Sequence, residues 1–368
     1  MGTMEKTKLN RYWTIQSWKA FEILQQPNWP NIDHYNQIIK KLQRSPSLIV
    51  EDEINILKKR LIKVAKGDAF IIQGGDCAET FREFSENNIK NRLKILFQMA
   101  TIISYGAEID VVKIGRIAGQ YAKPRTSNLE KRNNITLPSY RGDSINDIEF
   151  TLKARTPNPD RLLKAYHKSV ATLNLIKPVI KNEFKNLKYF WNAHRFDKSK
   201  IHTRFENTIN NINKSLKFLN TIGQDINLFE QDRFNELYAS HECLILDYES
   251  AFTNKNVDQN YYNASGHMLW LGDRTRSIKS AHVEYLSGIQ NPIGIKCGPN
   301  TDIEELKLII KKINPLNELG KIMLVCRFGI HNIEKELPQL INMIIKNSLN
   351  VIWCCDPMHG NTYQSTTQ

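Results

Sequence analysis

No stretch of this 368-residue chain stays apolar long enough to cross a bilayer: Lys, Asp or Gly breaks every run within about ten residues, where a span needs roughly twenty. A membrane role is therefore not expected. Cysteine is scarce as well, with six residues at no repeating spacing, and the neighbours Cys354 and Cys355 are badly placed to bridge each other. That excludes a disulfide framework. With no secretory prefix ahead of Trp13, a reducing, cytoplasmic setting is expected. Repeats of 20 to 50 residues and low-complexity tracts are missing too, which excludes solenoids and tails. The formal charge is +13, yet no long basic run carries it; Lys is scattered among Ile and Asn in short pairs such as Lys40-Lys41, Lys59-Arg60 and Lys311-Lys312. This is the pattern of a solvated face, and no basic stripe interleaved with aromatics marks a nucleic-acid surface. Small substrates that carry phosphate account better for the excess charge.

What is present points to one large core. At 41% hydrophobic content and with no break in composition, a single large domain is expected. Short apolar runs ending in Gly or a charge recur at Ala69 to Gln73, Ile109 to Ile114, Lys188 to Asn192, His267 to Leu271, Ile293 to Cys297, Ile322 to Arg327 and Val351 to Cys355. Between them, Asn88 to Ser104, Asp160 to Leu175, Asn207 to Leu219 and Ile303 to Ile313 repeat apolar residues at three- and four-residue steps. Alternation of this kind predicts an α/β fold of parallel strands with crossover helices, a (β/α) barrel in which seven strands are counted. Ahead of it, helix-like pieces at Ser17 to Gln25 and Ile32 to Gln43 flank the turn Gln26-Pro-Asn-Trp-Pro30. The expected division is an N-terminal helical extension over 1–65 and the barrel over 66–368.

A barrel places its chemistry just past the strand ends. Nearly every predicted strand leads to a pointed residue there: Cys77, Arg116, Asp273 and Arg274, Lys296, Arg327 and His359. Each has a plain alternative. A free Cys is commonly a small buried residue, a turn His is satisfied by backbone, and Arg or Lys most often sits in a surface ion pair. Lys296 and Arg327, however, lie in or against apolar runs, where an unpaired charge is costly and an anion is the better partner. Asp273 reads as an orienting neighbour of an Arg. The pairs His241 with Glu242 and His282 with Glu284 fall in segments read as helix or loop, have no third ligand, and are expected to be structural. Trp270 and Trp353, like Cys354 and Cys355, are expected to be packing residues.

Five ordered segments, Gln73-Gly-Gly-Asp-Cys-Ala-Glu-Thr-Phe81, Lys113-Ile-Gly-Arg-Ile-Ala-Gly-Gln-Tyr-Ala-Lys-Pro-Arg-Thr-Ser127, Trp270-Leu-Gly-Asp-Arg-Thr-Arg276, Asn291-Pro-Ile-Gly-Ile-Lys-Cys-Gly-Pro299 and Cys355-Asp-Pro-Met-His-Gly-Asn-Thr362, together resemble one family, the type II (plant-like) 3-deoxy-D-arabino-heptulosonate 7-phosphate (DAHP) synthases. Ser17-Trp18, Gln25-Gln-Pro27, Tyr140-Arg-Gly-Asp143, Ser240-His-Glu242 and Ala281-His-Val-Glu284 fit the same resemblance. It implies a TIM (β/α)8-type barrel that condenses phosphoenolpyruvate with erythrose 4-phosphate at the entry to the shikimate pathway of aromatic amino acid biosynthesis. By motif, Arg116, Arg274, Lys296 and Arg327 take the phosphoenolpyruvate positions, with Asp273 beside them and Lys296 and Arg116 as the catalytic residues. Lys123, Arg125, Thr126 and Ser127 take the sugar-phosphate side. A divalent metal, manganese, cobalt, iron or zinc, is implied on a Cys, His, Glu and Asp set, of which Cys77 and His359 are the first two.

In the family pattern the Glu and Asp ligands fall beyond residue 368, and after Thr362 the tail no longer resembles it. The expectation is therefore a barrel lacking its last strand and helix, with its first and last strands exposed as edges. A homo-oligomer is one way to cover them. The rival expectation from another class is a noncatalytic relic, an anion-binding or regulatory partner of a complete synthase.

Overall fold

The computed structural model describes residues 13–183, 200–223, 236–299 and 301–363. Eleven strands are found there: β1 Ala69–Gly75, β2 Asp110–Arg116, β3 Leu129–Arg132, β4 Ile135–Pro138, β5 Tyr238–Glu242, β6 Thr253–Lys255, β7 Tyr261–Asn263, β8 Met268–Leu271, β9 Ile293–Cys297, β10 Ile322–Cys326 and β11 Ile352–Cys355. Seven form one parallel sheet in the order β1-β2-β5-β8-β9-β10-β11, curled into a nearly closed barrel with helices outside. The other four make two antiparallel hairpins, β3-β4 and β6-β7, in the loops after β2 and β5.

Strand parity sorts the side chains. Ala69 and Ile71, Val112 and Ile114, Tyr238, Met268, Met323 and Val325, and Ile352 share an inner cluster, which Leu57 and Leu61 of the helix Glu51–Lys66 close as a floor. Intervening residues such as Leu269, Ile295, Cys297 and Leu324 pack outward against Leu306, Ile309 and Ile310 of the helix Ile303–Ile313 and against Leu340 and Met343 of the helix Ile333–Lys346. Asp302 caps the first of these through the backbone N–H groups of Glu304 and Glu305.

Several expectations shift. The run Lys188 to Asn192 lies outside the described residues, and its place in the sheet is held by β5, in a segment read as helix or loop. Short, fully buried and interrupted by His241 and Glu242, it shows no strand alternation. Of Ser17 to Gln25 only Ser17–Ala20 is helical, as one 3-10 turn; Phe21 is extended and Gln25 takes a left-handed φ of 62°. The helix Glu51–Lys66 was not anticipated. Trp353 is 40% exposed on the edge strand β11 and Cys355 is also exposed, so neither is a packing residue. Among the described residues β1 and β11 pair on one side only.

Candidate active site

The parity that sends Val112 and Ile114 inward puts Arg116 at the mouth of the barrel, and Tyr238 likewise leads to Glu242, Met268 to Trp270 and Gly294 to Lys296. Loops add Cys77 after β1, Lys123 to Ser127 after β2, Asp273 and Arg274 after β8, Arg327 after β10 and His359 after β11. All the residues singled out in the sequence, together with Glu242, line one cavity of about 490 Å³. Six of its lining residues are Arg or Lys.

Trp270 organises the centre. Its ring lies under the Arg116 guanidinium at 4.7 Å and near the Lys296 ammonium at 5.4 Å. Lys296 Nζ is 4.0 Å from Glu242 Oε2, and both side chains are almost out of solvent. Burial draws the Lys296 ammonium below its ordinary range, with Glu242 opposing. Burial also lowers Arg116, whose Nη2 donates to the Cys77 carbonyl at 2.8 Å. Asp273 is shared, accepting from Arg276 at 3.0 Å and Arg327 at 3.2 Å, while Arg274 donates to Thr126 Oγ1 at 2.7 Å. Among the described residues the Nε groups of Arg116 and Arg327 are buried without an acceptor. Donors of that kind favour an incoming anion.

At the rim His359 hydrogen-bonds the Cys77 thiol, and its Nδ1 is held by Asp356 Oδ2 at 2.6 Å. The His359 contact brings Cys77 down to about 7 despite partial burial; Asp356, then Cys77, raise His359 to about 9. A thiolate beside an imidazole whose far nitrogen is fixed by a carboxylate is a donor pair suited to a divalent transition metal. The two fit such an ion in kind. Among the described residues no group of three or more His, Cys, Asp or Glu is assembled to hold one.

Behind the cavity, buried Glu79 accepts from the backbone N–H groups of Ala118 at 3.1 Å and of Gly119 and Gln120 at 2.9 Å each. Burial pushes its carboxyl up, and those three donors pull against it. Gln120 in turn accepts from the backbone N–H of Glu242 at 2.9 Å. One carboxylate thus fixes the loop after β2 and, through it, the end of β5.

The model of the class-II DAHP synthetase family matches residues 13–368. The chain belongs to this family. It is 41% identical over 356 residues to a Streptomyces coelicolor protein named phospho-2-dehydro-3-deoxyheptonate aldolase, an alignment spanning 95% of this chain and 78% of that one. A Neurospora crassa protein of the same name is 38% identical over 369 residues, spanning 95% of this chain and 76% of its own length. The class-II DAHP synthetases are enzymes, and this chain presents its cavity at the mouth of a nearly closed parallel barrel. None of its helices is long and apolar enough, among the described residues, to cross a membrane.

Three residues at or behind this cavity carry little signal in the sequence. In the sequence Glu242 reads as structural like His241, and only the strand parity of β5 separates them: His241 turns outward to Glu249 at 3.0 Å while Glu242 enters the mouth. Trp270 is a core residue, 2% exposed, that also carries two cations. Glu79 lies between Gln73 and Phe81, and a lone acid that accepts from three backbone N–H groups leaves no sequence trace.

Proposed function

We propose that this chain joins phosphoenolpyruvate to erythrose 4-phosphate and releases inorganic phosphate, giving DAHP for the shikimate pathway. The observation that carries the reading is the convergence of six cations on one mouth around the buried Lys296–Glu242 pair. Phosphoenolpyruvate bears a carboxylate and a phosphate. Arg116, Arg274 and Arg327 offer forked, charge-assisted donors and Lys296 a point charge to both, and Asp273 holds Arg327 in register. Lys123, Arg125, Thr126 and Ser127 are read as the seat of the sugar phosphate.

In the reaction carbon 3 of phosphoenolpyruvate bonds to the aldehyde carbon, whose oxygen takes up a proton; water adds at carbon 2 and gives up a proton, and the bond from carbon 2 to the phosphate oxygen breaks with its electron pair leaving on the phosphate. Lys296 and Arg116 stabilise the charge on the departing phosphate and the carboxylate. Glu242, packed against Lys296 with one oxygen unpartnered, is placed to take the proton of the adding water. Cys77 and His359 are the residues that would hold the divalent cation, whose chemistry when bound is Lewis-acid polarisation of the aldehyde oxygen. Manganese, cobalt, iron and zinc all suit this donor pair.

We read 66–368 as the barrel domain and 1–65 as the extension, although Leu57 and Leu61 of the extension complete the inner core. Six free cysteines fit a cytoplasmic setting. The test is phosphate release by purified protein given both substrates and each of the four metals, with mass identification of the seven-carbon product. No release with any metal removes the reading. A second reading is a noncatalytic anion-binding partner of a synthase, which the six cations of the mouth would also suit; phosphoenolpyruvate binding without turnover is its outcome.

A further inference from the structure

The pair Gln25-Gln26 in the extension lies far in sequence from the mouth, yet its hydrogen bonds end on the loops that form it. Gln25 takes a left-handed backbone, φ 62°, which turns its side chain and its carbonyl toward the barrel. Its Oε1 accepts from the backbone N–H of Arg125 at 2.8 Å, and its carbonyl oxygen accepts from Arg141 Nη1 at 3.0 Å. Buried Arg141 then holds both ends of the loop: its carbonyl receives the N–H of Lys123 at 2.8 Å, and its Nη2 donates to Asn128 Oδ1. Gln26 Nε2 donates to the Leu244 carbonyl at 2.8 Å, tying the same turn to the segment after β5.

The loop from Lys123 to Ser127 has few other anchors. Ser139 Oγ donates to the Ser127 carbonyl at 2.8 Å and Arg274 reaches Thr126. Neither the Lys123 ammonium nor the Arg125 guanidinium has an ion-pair partner among the described residues, so no carboxylate sets where these cations point. Their placement falls to the backbone. At Arg125, the middle of the loop, the backbone N–H is held by the Gln25 amide, its one partner among the described residues.

We propose that Gln25 is a positioning residue for the sugar-phosphate subsite, fixing through Arg125 and Arg141 the loop whose cations receive the phosphate of the aldose. The inference rests on the function proposed above. A misplaced loop weakens the ligand that the loop binds, whereas of the phosphoenolpyruvate donors Arg116 and Lys296 are built on strands, Arg327 directly follows β10, and Arg274 meets the loop only through Thr126 Oγ1; none of the four is bonded to Gln25 among the described residues.

Calorimetric titration of the metal-free protein tests this, with erythrose 4-phosphate in one arm and phosphoenolpyruvate in the other, for the wild type, Gln25→Ala and Gln25→Glu. The expected result is a loss of roughly tenfold in erythrose 4-phosphate affinity for Gln25→Ala, a charge-assisted subsite losing one of its few anchors, with phosphoenolpyruvate within about twofold. Gln25→Glu keeps an acceptor oxygen and is expected within about threefold of the wild type for both ligands. Unchanged sugar-phosphate affinity in Gln25→Ala, or an equal fall for both ligands, overturns the positioning role. Wild-type protein that binds neither ligand overturns the reading of the site itself, and the inference falls with it.

Discussion

Lys296 Nζ stands 4.0 Å from Glu242 Oε2 across strand β8, whose Trp270 ring lies close to the ammonium. Two opposite charges so deeply withdrawn from water are coupled, and removing either leaves the other uncompensated. Glu242→Gln keeps the shape and removes the carboxylate proposed as proton acceptor. Its kcat is expected to fall by about 10² to 10⁴, the usual worth of a placed acid or base, with KM for phosphoenolpyruvate little changed. Lys296→Met is expected to lower kcat and raise KM together, since on the proposed reading its ammonium meets the substrate. Steady-state kinetics alongside circular dichroism measure this; wild-type turnover in Glu242→Gln would take that residue out of the proton chemistry.

The triad Asp356, His359 and Cys77 predicts how metal affinity responds to substitution. A carboxylate that fixes the far nitrogen of an imidazole typically contributes 10- to 100-fold to metal affinity. Asp356→Asn is therefore expected to weaken cobalt binding by about that factor. Cys77→Ser is expected to abolish the thiolate-to-cobalt charge-transfer absorption that the unaltered protein should show on titration. Persistence of that absorption in Cys77→Ser would place the metal thiolate elsewhere.

The barrel and its rim were legible because both rest on local signals. Ile293 to Cys297 and Ile322 to Arg327 are apolar runs bounded by Gly, Asn or charge, and Lys296 and Arg327 are anomalous in or beside them. Long-range geometry was not legible. β5 is buried on both faces, so its sequence Tyr-Ala-Ser-His-Glu shows no polar alternation, and only pairing with β2 and β8 reveals which of His241 and Glu242 enters the mouth. The helix Glu51–Lys66 hides for a related reason. Its acidic first turn and basic last turn suit the helix dipole, but Leu57 and Leu61 are anchors whose burial depends on a barrel bottom formed by distant strands.

Glu79 offers a test of how the loop after β2 is held. Glu79→Gln would turn an amide NH2 toward the three backbone N–H groups of Ala118, Gly119 and Gln120, leaving at least one buried donor unsatisfied. A loss of about 1 to 3 kcal/mol is expected, read as a lower urea midpoint at unchanged slope. Because Gln120 also holds the backbone of Glu242, phosphate release should fall with it. Glu79→Gln with an unshifted midpoint would show that the loop is fixed by other contacts.

His282 sets a pH limit on the fold without touching the site. It is fully buried in the helix Ala281–Ser287, its Nε2 is 3.1 Å from the Leu244 carbonyl and its Nδ1 has no partner. Burial lowers its pKa from 6.5 to about 4, against the Leu244 carbonyl and the more distant charge of Glu249, which both favour the proton. Between those two values the unfolded chain binds a proton that the folded chain refuses. Stability from this group is therefore full above about 6.5 and declines as pH falls toward about 4, by on the order of 3 kcal/mol if no other group compensates. His282→Gln retains an N–H for Leu244 and cannot titrate, so the difference in unfolding free energy between the two proteins should shrink with falling pH over that window. A difference that stays constant from pH 7 to pH 4 would mean that His282 is protonated in the folded state.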